Sequence, residues 1–352
     1  MEFYSCFPIA QLNISIQNFK EHQLNECFGF CCKFDAVRIT LTDNPEENLQ
    51  RYLGMRHFEI IRGFHDDAKE QDFPCARCPQ YIKANWAITE YVPFVNLSAY
   101  PSPCQCRCFY CENDIRNSAE DYKDNSDVRA MYENVFKTLR LAKKIGLTLP
   151  KKTRWQISPG EITIHPYKEE IMDLVRGEKT IFFTNGFIFD KDIARELHDN
   201  PLATINLSID AGTPEAWHKV KGVNNFYHVL DNLVAYRKAS NRAGQITLKY
   251  IVLPGINDSD EDFLSFVKIL KSLDVQAFRF SRDNINDEKD YGSSSCGGGI
   301  FLLPKPLKLQ RDFWLFANLT DLFLKYCMLI LIMKSKAYYF WQIKFFKQFN
   351  FK

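Results

Sequence analysis

Short apolar runs alternate with longer amphipathic stretches between residues 91 and 285. This alternation is typical of parallel α/β architecture, in which a helix follows each strand. The runs predicted as strands are Val92–Ser98, Arg154–Ser158, Thr180–Thr184, Thr204–Ile209, Ile246–Leu253 and Ala277–Ser281. The stretches predicted as helices are Val128–Ile145, Lys168–Val175, Lys191–Asp199, Phe226–Ala239 and Asp260–Leu273. Six repeats fall short of a complete eightfold barrel, so the predicted fold class is α/β with a partial (β/α)6 TIM-type barrel.

The chain on either side of this core has a different pattern. Residues 44–62 read as an amphipathic helix, with Asn44 as its cap and Pro45 in the first turn. After residue 296 there are nine basic residues against two acidic ones, and aromatic residues are frequent. We therefore predict three parts: a cysteine-rich N-terminal segment over 1–90, a core over 91–290, and a basic, aromatic-rich tail over 291–352.

Four of the twelve cysteines fall within the eight residues from Cys104 to Cys111, directly after the first predicted strand of the core. Crowded thiolates repel each other and oxidise readily, so this density indicates a metal centre or a disulfide. Cys104, Cys108 and Cys111 supply three thiolates from one loop, whereas an iron–sulfur cluster commonly has four cysteine ligands. A structural zinc site is the alternative, although zinc favours a second pair of cysteines close behind the first.

The Cys104-x3-Cys108-x2-Cys111 spacing resembles the signature of the radical S-adenosylmethionine (radical SAM) superfamily, with Tyr110 matching an aromatic residue frequent there. This resemblance implies a [4Fe-4S] cluster held by the three cysteines, with one iron left for the amino and carboxylate groups of S-adenosylmethionine. It also implies reductive cleavage of that cofactor to a 5′-deoxyadenosyl radical. Cys106 departs from the simplest form of the motif and is interpreted as a spare thiol.

Further polar residues follow the next predicted strands, where a parallel barrel gathers its binding groups. Gly160 and Glu161 resemble the family's Gly-Gly-Glu element, which contacts the methionine amino group, with Pro159 replacing the first glycine. Alternation places Asn206, Ser208 and Asp210 on one side of the fourth strand, where the family contacts its cofactor. The cofactor-binding residues that the resemblance implies are Tyr110, Gly160, Glu161, Asn185, Ser208 and Asp210. An ordinary turn at Gly160 or Asn185, and an internal hydrogen-bond network on the fourth strand, are the alternatives.

A second group of cysteines lies in the N-terminal segment, in two clusters separated by the predicted helix. Cys31 and Cys32 precede the helix, and Cys75 and Cys78 follow it in a Cys-x2-Cys-Pro arrangement. This arrangement loosely resembles the SPASM-type extensions of peptide-modifying radical SAM enzymes. The four cysteines could hold a second iron–sulfur cluster or a zinc ion, or they could be free thiols.

Lys249 lies within a near-continuous apolar strand, so it is expected to reach a carboxylate, the cofactor or a substrate.

Bulk composition narrows the class of protein. The net charge is +2, which gives no indication of a nucleic-acid surface. The N-terminus lacks the pattern of a secretory signal and the cysteines suit metal binding, so a cytoplasmic location is expected. In the tail, Asp321 and Lys325 interrupt an apolar run, which argues against a spanning helix; contact of the tail with a membrane surface and a shifted reading frame stay open.

The sequence therefore predicts a radical SAM enzyme that abstracts hydrogen from an unidentified substrate, either a peptide or a small molecule. A flavodoxin or ferredoxin is the reductant that this chemistry implies. The alternative is a non-catalytic iron–sulfur or zinc-binding protein on the same scaffold.

Overall fold

A computed structural model describes residues 2–16, 27–30, 37–99, 103–111, 125–275, 277–282 and 299–302. The helices, numbered α1 to α8, are Phe7–Ala10, Pro45–Gly63, Ser126–Lys144, Lys168–Val175, Lys191–Asp199, Pro214–Lys221, Phe226–Ala239 and Asp260–Ser272. The strands, numbered β1 to β12, are Glu2–Ser5, Ile14–Ile16, Phe28–Gly29, Arg38–Ile39, Ile82–Asn85, Phe94–Leu97, Arg154–Ile157, Lys179–Thr184, Thr204–Ser208, Ile246–Val252, Ala277–Arg282 and Gly299–Leu302.

The core of the fold is a run of six parallel strands, β6 to β11, that lie side by side in chain order. Each of them overlaps a strand predicted from the apolar runs. Helices follow β7 to β10 and also precede β7, as expected where crossovers connect parallel neighbours. The α/β fold class is therefore confirmed. The sheet does not close within the described residues, where its edge strands are β12 and β4.

Strands of the N-terminal segment extend this sheet beyond β6. Strand β2 pairs with β6 in parallel, and β3 and β4 continue antiparallel from β2. One sheet thus crosses the residue-90 position at which the sequence suggested a boundary, and the described residues belong to one compact unit, Met1–Leu303. The division into domains stays a prediction, and the tail from residue 303 onward lies outside the described residues.

The two faces of the core sheet differ in chemistry. On one face Leu207, Leu248 and Phe278 are fully or almost fully buried. Helix α8 covers part of this face, because the Tyr250 ring lies 4.9 Å from the Phe266 ring. Alternation places polar residues on the opposite face, namely Asn96, Gln156, Asn206, Ser208, Thr247, Lys249 and Arg279. Ile181 and Phe183 of β8 share this face, so a ligand against it meets mainly polar side chains with two apolar ones among them.

Helix α2 begins as its sequence predicts. The Asn44 side chain accepts hydrogen bonds from the backbone amides of Glu46 and Glu47, each at 3.1 Å, which satisfies donors that have no partner within the helix. Asn48 donates to Thr138 of α3 at 3.0 Å and joins the helix to the core. Within the described part of the chain, no helix combines the length and apolar character needed to cross a membrane.

Candidate active site

The cysteine loop, residues 103–111, follows β6 and is fastened to the end of helix α6. The backbone amide of Arg107 donates to Lys221 O and that of Phe109 donates to Val220 O, both at 2.8 Å. These carbonyls belong to the last turn of the helix, where they have no partner within the helix itself. Gly222 then ends α6 with a positive φ of 68°, and a Cβ there would lie 3.0 Å from Arg107 Cβ and O. The close approach of loop and helix thus requires glycine at this position.

Three thiols lie together in this loop. The Cys106 thiol is buried and hydrogen-bonds to the sulfurs of both Cys104 and Cys108. The hydrogen bond between Cys106 and Cys104 lowers the pKa of Cys104, and a separate hydrogen bond between Cys106 and Cys108, aided by the Lys221 ammonium, lowers that of Cys108 to about 6. A low pKa favours the thiolate, the form that binds metal. Cys111 is exposed, and its backbone amide donates to Cys108 O at 3.0 Å.

A buried ionic network holds the aromatic residue of the loop. Asp210 is fully buried, and its Oδ2 accepts from Lys221 Nζ and from the Tyr110 hydroxyl, both at 2.6 Å. Its Oδ1 accepts from the amide of Ile251 at 2.7 Å. Burial alone would raise the pKa of Asp210, but the Lys221 and Lys249 ammonium groups outweigh it and the pKa is lowered. Asp210 is therefore an anionic anchor for the loop.

Two features of this network were not anticipated from the sequence. Lys221 is 1% exposed, although a lysine in the last turn of a helix ordinarily faces solvent. Asp210 lies beyond the end of β9 and has a positive φ of 53°, so it does not continue the alternation of Asn206 and Ser208. Both carboxylate oxygens are engaged by the chain itself, and binding of the cofactor by Asp210 stays a prediction.

Glu161 lies on the other side of the cysteine loop, after β7. Its backbone amide donates to Pro103 O at 2.9 Å. Its Oε1 accepts from the Thr184 and Thr163 hydroxyls at 2.7 and 2.8 Å, and Oε2 accepts from the Asn185 amide at 2.7 Å. Burial raises the pKa of this carboxyl above its usual range. Each oxygen of a carboxylate can accept two hydrogen bonds, so Oε2, which accepts one, can accept one more.

Asn185 links the end of β8 to the cysteine loop. Its side-chain amide lies 3.2 Å from Gln105 Oε1 and 3.6 Å from the Cys104 sulfur. Gly160, on the turn before Glu161, has a positive φ of 54°, as the Pro-Gly pair favours. The structure thus brings Glu161 and Asn185 to the cysteine loop, with Gly160 next to Glu161 in the chain.

Two polar groups on β9 retain open hydrogen-bonding capacity within the described residues. Asn206 Oδ1 is buried and has no partner there. The Ser208 hydroxyl is half-buried and likewise forms no hydrogen bond with a described residue. Because unpaired buried polar groups are costly, a ligand with hydroxyl or amine groups would stabilise this wall of the site.

The proposed auxiliary site is described only in part, because Cys31 and Cys32 lie outside the described residues. Cys75 and Cys78 are both buried, and the Cys78 amide donates to Cys75 O at 2.9 Å within a short 3-10 turn. Cys6 is also buried and lies near Tyr81, as Cys75 does. Burial is the main cause of the raised pKa of Tyr81, and Glu59, Cys75 and Cys6 add to it. The metal content of this region stays a prediction.

The donor set of the cysteine loop fits an iron–sulfur cluster in its chemistry. Thiolate is the ligand such clusters take, and the charge state of Cys104 and Cys108 is shifted toward it. In its present arrangement, no group of three or more His, Cys, Asp or Glu side chains among the described residues has metal-binding geometry. The assignment of Cys104, Cys108 and Cys111 as ligands therefore stays a prediction.

Residues 103–267 match the family model of the Radical SAM superfamily. This match, over slightly less than half of the chain, identifies a radical SAM domain within it, and it includes the cysteine loop and the ends of β7 to β10. Members of this superfamily use a [4Fe-4S] cluster and S-adenosylmethionine.

The curated relatives are similar to about half of the chain. A GTP 3′,8-cyclase from Microcystis aeruginosa is 26% identical over 190 residues, covering 50% of this chain and 53% of the relative. A GTP 3′,8-cyclase from Nautilia profundicola is 28% identical and covers 47% and 50%. A UPF0026 protein from Helicobacter pylori is 22% identical and covers 51% and 58%. This chain thus spans about half the length of the curated relatives it matches.

Among solved structures, SuiB from Streptococcus suis is 16% identical with a TM-score of 0.43, covering 81% of this chain and 54% of that one. Archaeal TYW1 is 20% identical with a TM-score of 0.32, covering 53% and 64%. Likenesses this slight say nothing about a substrate. The loose resemblance to SPASM-type extensions has no support in these comparisons and stays a prediction.

Proposed function

We propose that this chain is a radical SAM enzyme in which Cys104, Cys108 and Cys111 hold a [4Fe-4S] cluster beside a pocket for S-adenosylmethionine. When bound, the cluster would supply the electron for reductive cleavage of S-adenosylmethionine, which would make hydrogen abstraction from a substrate possible. The observation that carries the proposal is the convergence of the cysteine loop with Glu161, Asn185 and Asp210 at the carboxyl ends of successive parallel strands.

The chain's own residues have distinct roles in this proposal. Glu161 presents the remaining site of Oε2 to the cofactor's ammonium group, and its other acceptor sites are fixed by Thr163, Thr184 and Asn185. Asn206 and Ser208 provide open polar groups for the ribose hydroxyls or the carboxylate. An external electron donor is required, and a flavodoxin or ferredoxin would meet that need. The relatives' name suggests a nucleotide substrate, and a peptide is the second candidate.

Cofactor cleavage in the absence of substrate tests the proposal. The full chain is reconstituted anaerobically with iron and sulfide, then incubated with dithionite and S-adenosylmethionine, and 5′-deoxyadenosine is measured by mass spectrometry. We expect its formation by the wild-type chain and its loss in Cys108→Ala. An intact cluster that yields no 5′-deoxyadenosine would instead support the non-catalytic binding protein.

Replacement of Glu161 by glutamine separates cofactor binding from cluster binding. We expect the Kd for S-adenosylmethionine to rise about tenfold while the iron content stays unchanged, because a charge-assisted hydrogen bond is lost. Glu196→Gln is the matched control: this buried carboxylate also accepts a backbone amide, from Gly177 at 2.8 Å, but it lies near the amino ends of β8 and β9. Equal affinities for wild type and Glu161→Gln, measured by calorimetry, would remove Glu161 from the binding site.

A further inference from the structure

Two cations lie side by side on the polar face of the sheet. The register pairs Lys249 of β10 with Arg279 of β11, and it pairs Ser208 of β9 with Lys249 on the other side. Parallel neighbours are about 4.8 Å apart, so the three side chains start from adjacent positions and share one face. All three residues are half-buried.

Neither cation has a carboxylate partner among the described residues. Lys249 has the Tyr110 ring 5.6 Å from Nζ, and neither it nor Arg279 forms a hydrogen bond or ion pair there. The Asp210 carboxylate acts on Lys249 through its charge, but its oxygens already accept hydrogen bonds from Lys221, Tyr110 and the Ile251 amide. Burial lowers the pKa of Lys249, with Lys221 and Arg279 adding to the effect, and burial also lowers that of Arg279.

Two adjacent cations of this kind are unfavourable unless an anion accompanies them. Natural proteins keep half-buried like charges together where a ligand neutralises them, and the pairing of a lysine with an arginine fork suits phosphate or carboxylate oxygens. Lys249 and Arg279 thus offer adjacent cationic donors to one anionic group, beside Ser208, which the proposed function assigns to the cofactor.

Two sources could supply the anion: the carboxylate of S-adenosylmethionine or an anionic group of the substrate. Their positions on the sheet distinguish them. Lys249 lies between Ser208 and Arg279, with the Tyr110 ring 5.6 Å from Nζ, whereas Arg279 lies one strand farther along, on β11. Arg279 thus extends the charged row away from Ser208.

We propose that Lys249 and Arg279 bind a phosphate or carboxylate group of the substrate, so that the substrate of this radical SAM domain is anionic. This inference rests on the proposed function and specifies its substrate class. It places the anionic end of the substrate on β10 and β11, beside the Tyr110 side of the cysteine loop.

Pyrophosphate is the probe for this site. Its binding to the anaerobically reconstituted full chain is measured by calorimetry, with and without saturating S-adenosylmethionine. We expect binding that S-adenosylmethionine does not weaken, and a rise in Kd of about tenfold or more in Arg279→Gln and in Lys249→Gln. The matched controls are Arg195→Gln on α5 and Lys268→Gln on α8, both exposed, which should bind as wild type does.

Three results would overturn the proposal. The first is absence of pyrophosphate binding, and the second is binding that both variants retain. The third is competition between pyrophosphate and S-adenosylmethionine, together with weaker binding of S-adenosylmethionine by Arg279→Gln. That third result would assign the site to the cofactor's carboxylate. Circular dichroism and the iron content establish that each variant is folded and loaded. Formation of 5′-deoxyadenosine by the same samples reports separately on the proposed function, because it needs no substrate.

Discussion

Replacing Lys221 by methionine is expected to lower the free energy of unfolding by about 3–5 kcal/mol, the usual cost of leaving a buried charge without its partner. Lys221 Nζ lies 2.6 Å from Asp210 Oδ2, and the two side chains are 1% and 0% exposed. Burial alone would lower the pKa of Lys221, but the Asp210 carboxylate raises it, so the ammonium is charged in the folded chain. Methionine keeps the volume of the side chain and removes the charge.

Urea denaturation under anaerobic conditions measures this effect. Lys219→Met, on the same helix but exposed, is the matched control and should change stability by less than about 0.5 kcal/mol. The double variant Lys221→Met with Asp210→Asn should recover much of the loss, because removing both charges of a buried pair is often nearly neutral. If Lys221→Met unfolds at the same urea concentration as Lys219→Met, the network does not anchor the cysteine loop.

The sequence identified the core of the fold because each strand there lies within an apolar run and most of these runs are followed by an amphipathic helix. β10, for example, carries Ile246, Leu248 and Tyr250 on its buried face, alternating with Thr247 and Lys249. The N-terminal strands β2 to β4 have only two or three residues each, which is too short for a periodic signal. Helix α6 was also missed, although Thr213 caps it by accepting from the Ala216 amide at 3.3 Å. A Thr-Pro-Glu sequence at its start was the available signal.

The candidate site was predictable where its residues follow successive strands of the core. Strand order placed Glu161 and Asn185 beside the cysteine loop, because parallel strands end at the same edge. The contact between Tyr110 and Asp210 joins residues 100 positions apart, and no local pattern indicates it. Lys221 could not be recognised, because its burial depends on where helix α6 packs. The pairing of Lys249 with Arg279 likewise required the register of β10 and β11.

The burial of the four loop cysteines in the structure bears on which three of them are ligands. The spacing suggested that Cys106 is spare and Cys111 is a ligand, yet Cys106 is the buried thiol between Cys104 and Cys108, and Cys111 is exposed. A ligand set of Cys104, Cys106 and Cys108 is therefore a physical alternative. An exposed thiol at the end of a short loop can still reach a cluster, because its backbone is joined to Cys108 by one turn.

Single alanine replacements decide between these two ligand sets. We expect Cys104→Ala, Cys108→Ala and Cys111→Ala each to reduce the iron of the main site from about four atoms to nearly none, because three thiolates are the minimum that holds such a cluster beside an open iron. Cys106→Ala should retain the iron, since it removes a hydrogen-bond donor rather than a ligand. Iron and sulfide analysis with the absorption spectrum of anaerobically reconstituted chains gives the measurement. Loss of iron in Cys106→Ala with retention in Cys111→Ala would transfer the third ligand to Cys106, because the buried thiol would then have displaced the exposed one.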